Sequence, residues 1–511
     1  MVKRIVTICL LIAMAVGIYG YRIFDEIRIA INRNPNAITV WVPFSPQHEF
    51  TNSFEQLLMD WADTQDDIEI EFLAITFFDY FGKIRTAQSG GVGPDVSIND
   101  IVTLPFRAQN RHVLNLDPFI ESGYIDIDNY FEADIERLSY RGSLYAVPFS
   151  IDARFLFFNK DHFRAAGLDP YNPPTTLEEL QATARLLTLY ENNTAGGLPL
   201  NIDTQGRSNR LYQLGFHPEW GNNHIAQFAW AQGGGIFADD ATVDWYNPIN
   251  YATMRWWVET SRIVPQPHIN QFNGRSDKFM QGVNPFFTGA VSMIVENDPL
   301  AWEIETFFEQ HPDRVFDWGV ITIPYATCDE TGVSFETSWS GVFTTEVAAG
   351  LSSEREAKAV RVMQFLISDT VQNHILDMFG WKPGTRSAIE RVLADPDTSP
   401  QQRYILEKYE IRRHMDHNEA VPEWGFYLSG PIQNATAGRI SVSEAMQLGE
   451  ADLQNSINRH FGIISCANMD WFAIILVAVL LATVIVLYIG DMLLKRRKNK
   501  IAQKTDSKGG H

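Results

Sequence analysis

Side chains that could carry out chemistry are plentiful in this 511-residue sequence, but they form no recognised catalytic motif. There is no Gly-x-Ser-x-Gly nucleophile turn, no His-Glu-x-x-His zinc pair and no Walker phosphate-binding loop. The 62 Asp and Glu residues place carboxylates throughout the chain, so acid pairs do not identify a glycoside hydrolase. His414 and His417 have the spacing of one helix face, but the neighbouring Arg412 and Arg413 favour a solvated helix surface over a metal site. The sequence therefore predicts no catalytic residue, no metal and no cofactor.

Aromatic residues supply a second kind of chemistry, which is the binding of a neutral polar solute. The chain has 13 Trp, 17 Tyr and 33 Phe. Flat rings stack on the C–H face of a sugar, and planar polar side chains pair with its hydroxyls. A buried hydroxyl left unpaired costs roughly 1–3 kcal/mol, so a sugar site needs both groups together. The composition makes such rings available but does not place any of them in a cleft.

Charge is distributed unevenly along the chain. The formal net charge of −21 repels phosphate backbones, which argues against nucleic acid as a partner. Residues 1–4 carry two positive charges and residues 495–511 carry a net six, which leaves −29 on the body between them. Basic tips on either side of an acidic body suggest a membrane topology.

The C-terminal region has the pattern of a membrane span. Trp471–Ile489 is a run of nineteen uncharged, mostly apolar residues, which as a helix would be about 28 Å long. Five positive charges follow within residues 495–500. The sequence therefore predicts a transmembrane helix over 470–494, a cytoplasmic tail over 495–511 and a body on the extracytoplasmic side of the cell membrane.

The N-terminal region, residues 1–35, has two open interpretations. Its uncharged run from Ile5 to Tyr21 fits either a cleaved signal peptide or an uncleaved anchor, and both export the body. The three cysteines, Cys9, Cys328 and Cys466, are too few for a disulfide scaffold. A bridge between Cys328 and Cys466 stays open, because nothing in their spacing requires it.

The exported body alternates predicted strands with predicted helices. Residues 38–42 read as a strand, and residues 68–72 alternate as a half-exposed strand. A capping box at Thr176 and Glu179 predicts a helix that runs through Leu187. This order predicts an α/β fold with a largely parallel sheet.

Several sequence blocks then occur in the order and spacing of a known family. From about residue 37 to residue 460 the chain resembles the extracellular solute-binding proteins of carbohydrate-type ABC importers, the maltose-binding-protein-like group. The blocks that carry the resemblance are 93–96 (GPDV), 114–120 (LNLDPFI), 144–154 (LYAVPFSIDAR), 157–163 (FFNKDHF), 166–168 (AGL), 174–180 (PTTLEEL), 287–293 (FTGAVSM), 317–320 (DWGV) and 437–458.

The resemblance implies a two-lobed, periplasmic-binding-protein-like (type II) fold that closes on a solute. Residues 36–150 plus 291–345 would form lobe 1, and residues 151–290 plus 346–465 would form lobe 2. The chain would then cross between lobes near Pro148, Ala290 and Phe343.

Strand ends and the resemblance together indicate the ligand-binding residues. Asn99 and Asp100 follow one predicted strand and Phe44 and Ser45 follow another, at the edge where open α/β sheets bind ligands. The resemblance adds Asp152, where relatives often place an acid that faces the ligand, and Arg154 near the first crossing, although these two also fit a structural ion pair. It further adds five residues near the cleft of relatives: Trp230, Asn297, Trp339, Trp381 and Trp424. For Trp230 the alternative is core packing. For Trp381 and Trp424 it is surface or inter-helix packing.

Three functions remain compatible with these features. The first is a membrane-tethered subunit that binds a mono- or oligosaccharide and delivers it to ABC permease subunits, without enzymatic turnover. The second is a ligand-binding sensor or scaffold that signals to another membrane protein, and the third is a carbohydrate-active hydrolase. Neither the sugar, nor its linkage, nor the choice between a sugar and another small solute such as a polyol follows from the sequence.

Overall fold

The structure is a computed structural model, and it describes the body of the chain. Within the described part, no helix is long and apolar enough to cross a membrane. Residues 1–33 of the predicted signal or anchor segment, the predicted span over 470–494, the tail and Cys466 lie outside the described residues. The described residues up to Leu453 form one compact unit, and a second unit begins at Gln454, within the last described helix. The described residues are 34–460 with the exception of 35, 191–210, 274–283, 329–330, 415, 417, 419 and 422.

The first lobe is built on a six-stranded mixed sheet. In spatial order its strands are β16 (Lys382–Pro383), β6 (Val147–Ile151), β15 (Val342–Val347), β3 (Val96–Asp100), β1 (Ala37–Val42) and β2 (Glu69–Ala74). β1 pairs in parallel with β2 and β3, whereas β15 is antiparallel to both β3 and β6.

Helices cover both faces of this sheet, which explains why β1 is buried along its whole length. Val40 and its alternate neighbours share a core with Phe54 of the helix that follows β1. Trp41 points the other way and packs with Ile84 of the next helix. The first-lobe helices are α1 (Glu49–Asp63), α2 (Phe77–Ser89), α3 (Leu104–Gln109), α4 (Asp117–Glu121), α5 (Glu132–Leu138), α12 (Ser353–Leu366) and α13 (Asp369–Phe379), with a hairpin of β4 (Ser139–Tyr140) and β5 (Ser143–Leu144).

The second lobe contains a three-stranded antiparallel sheet. Its order is β12 (Met293–Asn297), β7 (Arg154–Asn159) and β13 (Trp318–Ile321). The predicted capping box is confirmed, because Thr176 accepts from the Glu179 amide at 3.1 Å at the start of α7 (Leu177–Leu187). The other elements of this lobe are α6 (Lys160–Ala165), α8 (Ile225–Ala231), α9 (Pro248–Ser261), α10 (Gln266–Asn273), α11 (Pro299–Gln310), α16 (Gly425–Thr436), α17 (Val442–His460), and the pairs β8 (Leu189–Tyr190) with β9 (Leu211–Gln213) and β10 (Phe237–Asp239) with β11 (Thr242–Val243).

A short ribbon and two helices lie where the lobes meet. β14 (Ser338–Ser340) and β17 (Arg412–His414) pair in parallel, and β14 also contacts β7. The helix α14 (Arg386–Ala394) contacts β16 of the first sheet, and α15 (Pro400–Glu407) contacts β13 of the second. The described 3₁₀ turns are Ile127–Asn129, Pro312–Arg314 and Tyr409–Ile411.

Strand pairing corrects two expectations from the sequence. The α/β fold is confirmed, but parallel pairing in the two main sheets is confined to β1, β2 and β3. The lobe boundaries also differ, because residues 293–321 supply two strands of the second sheet and residues 382–383 supply a strand of the first. The chain therefore passes between sheets at Asp152–Ala153 and at Gly341, and not at Ala290, whose carbonyl accepts from the Leu214 amide within the second lobe. Periodicity identifies strands but carries no information about their distant partners, which is why the boundaries were misplaced.

Asp95, in one of the blocks that carried the resemblance, ties three elements of the first lobe together. Its buried carboxylate accepts from the Thr39 amide at 2.8 Å and from the Thr39 hydroxyl at 2.9 Å. The Arg355 guanidinium donates to both carboxylate oxygens, at 2.7 and 2.6 Å, from the start of α12. The carboxylate thus joins β1, the entry to β3 and α12, which explains why an acid stands at this position.

We expect Asp95→Ala to lower the free energy of unfolding by at least about 2 kcal/mol, because it leaves a buried amide and an arginine without their acceptor. Urea denaturation of the full chain measures this. The matched control is Asp67→Ala, which removes the exposed partner of Arg361 at 2.8 Å and should cost much less than Asp95→Ala, because solvent screens exposed ion pairs. Equal losses in the two variants would contradict this account of Asp95.

Candidate functional site

The junction between the two sheets is held by hydrogen bonds between the two chain crossings. The Asp152 amide donates to the Gly341 carbonyl at 3.1 Å, and the Ser340 hydroxyl donates to the Asp152 carbonyl at 2.7 Å. The Ser338 hydroxyl accepts from the Arg154 amide at 2.8 Å and donates to the Arg154 carbonyl at 2.7 Å. Small hydroxyl side chains on alternate positions of β14 therefore bind β14 to the other crossing. The intervening side chain, Trp339, points away from those bonds.

Trp339 is half-buried and lies against a cation. The Arg154 guanidinium lies 4.4 Å from the centroid of the indole ring. The same guanidinium forms an ion pair with Asp152, whose carboxylate also accepts from the Gly341 amide. Asp152 and Arg154 therefore form the structural ion pair that was the alternative to ligand binding. The Trp339 indole thus packs against the Arg154 guanidinium, and the Asp152 carboxylate orients that guanidinium.

A second-lobe aromatic set continues from Trp339. The His224 ring lies 6.0 Å from Trp339 and 5.7 Å from the fully buried Trp424. Trp230 is also buried, 6.5 Å from Trp424, with the Arg413 guanidinium 4.7 Å from its ring centroid. Burial lowers the pKa of His224 to about 4, so this ring is neutral at physiological pH. Trp230 is thus buried, as its core-packing alternative expects, and Trp424, for which surface or inter-helix packing was the alternative, is buried too. The two rings connect to the half-buried Trp339 through His224.

A first-lobe aromatic set contains the other two predicted rings. Phe44 is buried and packs 5.7 Å from Trp381, which is half-buried. Trp381 in turn stacks on Phe343 of β15 with ring centroids 5.0 Å apart and planes 17° apart. Phe77 extends the set by an edge contact with Phe343 at 6.2 Å, and its side chain is 45% exposed. Within this set, Phe343, Trp381 and Phe77 are at least partly accessible, whereas Phe44 is buried.

The predicted polar residues at the strand ends are mostly occupied locally. Asn99 is fully buried, and its side-chain oxygen accepts from the Asp100 amide at 2.9 Å. Asp100 accepts from the Thr103 amide at 2.9 Å, which shapes the turn into α3. Ser45 is exposed, and its carbonyl accepts from the Thr51 hydroxyl at 2.8 Å. Asn297 is half-buried at the end of β12, in register with Arg154.

A buried ion pair anchors β17 under the junction. Asp134 of α5 accepts from Arg412 at 2.8 and 3.0 Å and lies 2.8 Å from the His414 Nε2 atom. Burial would raise the pKa of Asp134, but Arg412 and the His414 hydrogen bond outweigh burial and hold that pKa at about 2. The expectation of a solvated helix surface at His414 is wrong, because His414 lies buried on a strand. Its partner in the proposed spacing, His417, lies outside the described residues.

A second buried group connects the first crossing to the start of α11. Asp298 accepts from the Ala153 amide at 2.9 Å and from the Tyr409 hydroxyl at 2.6 Å. Burial raises the pKa of Asp298 to about 6 and lowers the pKa of the nearby Lys382. In the part of the chain that the structure describes, no group of three or more His, Cys, Asp or Glu side chains is arranged to hold a metal.

The structure thus brings six of the eleven predicted site residues together at the junction and separates the rest. Phe44 and Trp381 belong to the first-lobe set, Asn99 and Asp100 end β3, and Ser45 is exposed near β1. Sequence reasoning missed Phe343, His224 and Arg413, which contact predicted residues directly. Phe343 was recognised only as a crossing point. In the structure it is the half-buried ring between two buried residues of β15. The six at the junction are Asp152, Arg154, Trp230, Asn297, Trp339 and Trp424.

Comparison with known proteins now identifies this architecture. The profile of the bacterial extracellular solute-binding protein family matches residues 47–373. The chain belongs to this family. The two-lobed α/β fold expected from the resemblance is therefore confirmed, with the lobe boundaries corrected above.

Solved structures agree on the fold. CpMnBP1 with mannotriose bound is 21% identical, with a TM-score of 0.66 over 81% of this chain and 99% of that one. An ABC transporter solute-binding protein from Thermotoga lettingae bound with alpha-D-tagatose is 18% identical, with a TM-score of 0.64 over 83% and 100%. UgpB from Mycobacterium tuberculosis in complex with glycerophosphocholine is 18% identical, with a TM-score of 0.63 over 84% and 100%.

A titratable carboxyl at the junction generates a pH prediction. Burial raises the pKa of Glu296 on β12 to about 7, and the nearby negative charge of Asp152 acts in the same direction. An unfolded Glu has a pKa of about 4.3, so between about pH 4.3 and pH 7 the folded state holds a proton that the unfolded state has lost. The contribution of Glu296 to stability therefore falls as the pH rises through this window.

We expect Glu296→Gln to remove that fall, so that the variant gains stability relative to the parent between pH 5 and pH 8. Urea midpoints of the full chain at pH 5, 6.5 and 8 measure the difference. Glu309→Gln, at an exposed position near the end of α11, is the matched control, and the gain of Glu296→Gln over this control should grow from pH 5 to pH 8. A pH-independent difference for Glu296→Gln would disprove the assignment.

Proposed function

We propose that this protein is a membrane-tethered, extracytoplasmic solute-binding protein that captures a carbohydrate between its lobes and delivers it to an ABC importer. Family membership supports solute capture. The observation that carries the carbohydrate assignment is Trp339, a half-buried ring at the lobe junction with the Arg154 guanidinium 4.4 Å from its centroid. Two similar folds have mannotriose and tagatose bound, which supports the same solute class here.

The proposed site pairs rings with planar polar groups, as sugar recognition requires. Trp339 offers a flat surface for the C–H face of a pyranose. Asp152 and Arg154 beside it, together with Asn297 across the β7–β12 pair, supply planar groups for hydroxyls. From the first lobe, the stacked pair Phe343 and Trp381 offers a second flat surface.

Capture follows from the two-lobed fold. A solute that contacts Trp339 and the first-lobe rings at once gains all its contacts only when the lobes are closed. Binding therefore shifts the population toward the closed form, with motion concentrated at the crossings near Asp152 and Gly341. The ABC permease would recognise the closed form, and the solute would be released unaltered.

The tether is proposed from the sequence. The apolar run Trp471–Ile489 and the basic residues after it fit a single span with the tail in the cytoplasm. Tethering would hold the binding lobes next to the membrane in which the permease lies. It also keeps open a role in sensing, in which the closed form is recognised by another membrane protein.

We expect Trp339→Ala to weaken carbohydrate affinity at least tenfold, about 1.4 kcal/mol, without unfolding the chain. The measurement is calorimetric titration of the full chain with mannobiose, mannotriose, tagatose and glycerophosphocholine in parallel. Tyr171→Ala is a matched control, because Tyr171 is also an aromatic ring with a cation nearby, Lys160 at 5.5 Å, but is 76% exposed on the surface.

Binding of glycerophosphocholine with no binding of any of the sugars would reject the carbohydrate class while keeping solute capture. Equal affinity of the Trp339 variant and the parent would remove Trp339 from the site. Appearance of a cleaved product during incubation with mannotriose would reject a binding protein in favour of a hydrolase.

We expect the full chain, produced in bacterial cells, to stay in the membrane fraction after carbonate extraction, and a variant ending at residue 469 to be released. A variant that lacks only residues 495–511 keeps the apolar run and should remain in the membrane, which separates the effect of the span from that of the tail. Release of the full chain by carbonate would refute the tether.

A further inference from the structure

One exposed ion pair joins the two lobes away from the junction. The Arg85 Nη2 atom lies 2.7 Å from the Glu423 Oε1 atom, and the two side chains are 48% and 38% exposed. Arg85 belongs to α2, which lies between β2 and β3 of the first lobe. Glu423 directly precedes α16, which packs against α9 of the second lobe.

Each partner is mounted on a rigid part of its own lobe. In α2, Tyr80 and Ile84 are buried in a cluster with Trp41 of β1. On the other side, Trp424 next to Glu423 is fully buried, and its indole nitrogen donates to the Asp416 carbonyl at 2.8 Å. The backbone that carries each charge is therefore anchored within its own lobe.

The segment that carries Glu423 faces the first lobe at a second point. Asp416, earlier in the same segment, interacts electrostatically with Arg137 of α5. Asp416 also pairs with Arg413 on its own lobe at 2.8 Å. Asp416 and Glu423 thus both interact with arginines of the first lobe, Glu423 through a direct ion pair.

We propose that Arg85 and Glu423 form an electrostatic latch that favours the closed arrangement of the lobes before any solute binds. Because both carriers are rigid, the ion pair forms at one lobe separation and is lost at larger ones. This proposal goes beyond solute capture and does not depend on which solute is bound.

The latch is weak because both of its side chains are exposed to solvent, and its effect on the equilibrium can be bounded. Exposed ion pairs change an equilibrium by about 1.4- to fivefold, and added salt reduces the effect. A change of that size is negligible for folding. It is significant for an equilibrium between lobe arrangements, which differ by only a few kcal/mol.

The test measures the lobe separation directly, without solute. Nitroxide labels are attached to cysteines placed at the exposed Glu121 on the first lobe and Glu178 on the second, with Cys9, Cys328 and Cys466 replaced by serine. Pulsed electron–electron double resonance then gives the distribution of label distances in the full chain. Thermal melts establish that each variant is folded.

We expect Arg85→Glu and Glu423→Arg each to lower the population at the parent's main label distance, relative to all other distances, by about two- to fivefold at 50 mM NaCl. The double variant, which restores opposite charges, should regain the parent distribution, and 1 M NaCl should move the parent toward the single variants. Arg361→Glu, in the exposed pair with Asp67 within the first lobe, should have no effect.

Identical distributions for the parent and both single variants would overturn the latch, as would a double variant that behaves like the single ones. Because no solute is present, either result leaves the proposed carbohydrate binding untouched. Conversely, a failure to bind any sugar would not affect the distance measurement.

Discussion

Asp134 and Arg412 form an ion pair with almost no solvent exposure at the place where the chain passes between the lobes. Removing two charges from water is expensive, and the pair is tolerated because its hydrogen bonds are satisfied on both sides. His414 adds to the same carboxylate, and Ser340 accepts from the same guanidinium at 3.2 Å. The interaction therefore fixes β17 and β14 relative to the first lobe, and everything that β14 displays depends on it.

Trp339 is the most important of the displayed groups. Serines on either side of it bind the neighbouring crossing, so hydrogen bonds fix the strand that carries the indole. Arg154 and His224 contact the ring itself. In the proposed site, the side chains around it have different roles. Buried rings such as Trp424 supply support, whereas half-buried ones supply contact surface. A side chain positioned in this way loses little freedom on binding, which favours affinity.

Electrostatics act differently at the junction and at the rim of the cleft. Junction charges are buried, and their paired geometry would be costly to break. The rim pair of Arg85 and Glu423 is exposed, so it forms and breaks at little cost. The proposed capture by lobe closure would use both, because the crossings would stay intact while the lobe separation changes.

Much of the fold followed from local sequence. The strand over 38–42, the capping box of α7 and the order of the sequence blocks from 93 to 180 were sufficient for the α/β class and the solute-binding family. The candidate site followed only in part, since Trp230 and Trp424 pack behind Trp339 and were indistinguishable from contact residues in the sequence. Trp339 itself was recognisable from its small neighbours.

Sequence alone therefore determined the secondary structure, the acidic body with its basic ends, the apolar run near the C-terminus and the family. Tertiary structure decided which sheet each late strand joins, the burial of His414 and the meeting of Arg85 with Glu423. The physical reason is range: helix caps and strand periodicity act over a few residues. The pairs Asp134–Arg412 and Arg85–Glu423 join groups hundreds of residues apart in sequence, and only the folded chain brings them together.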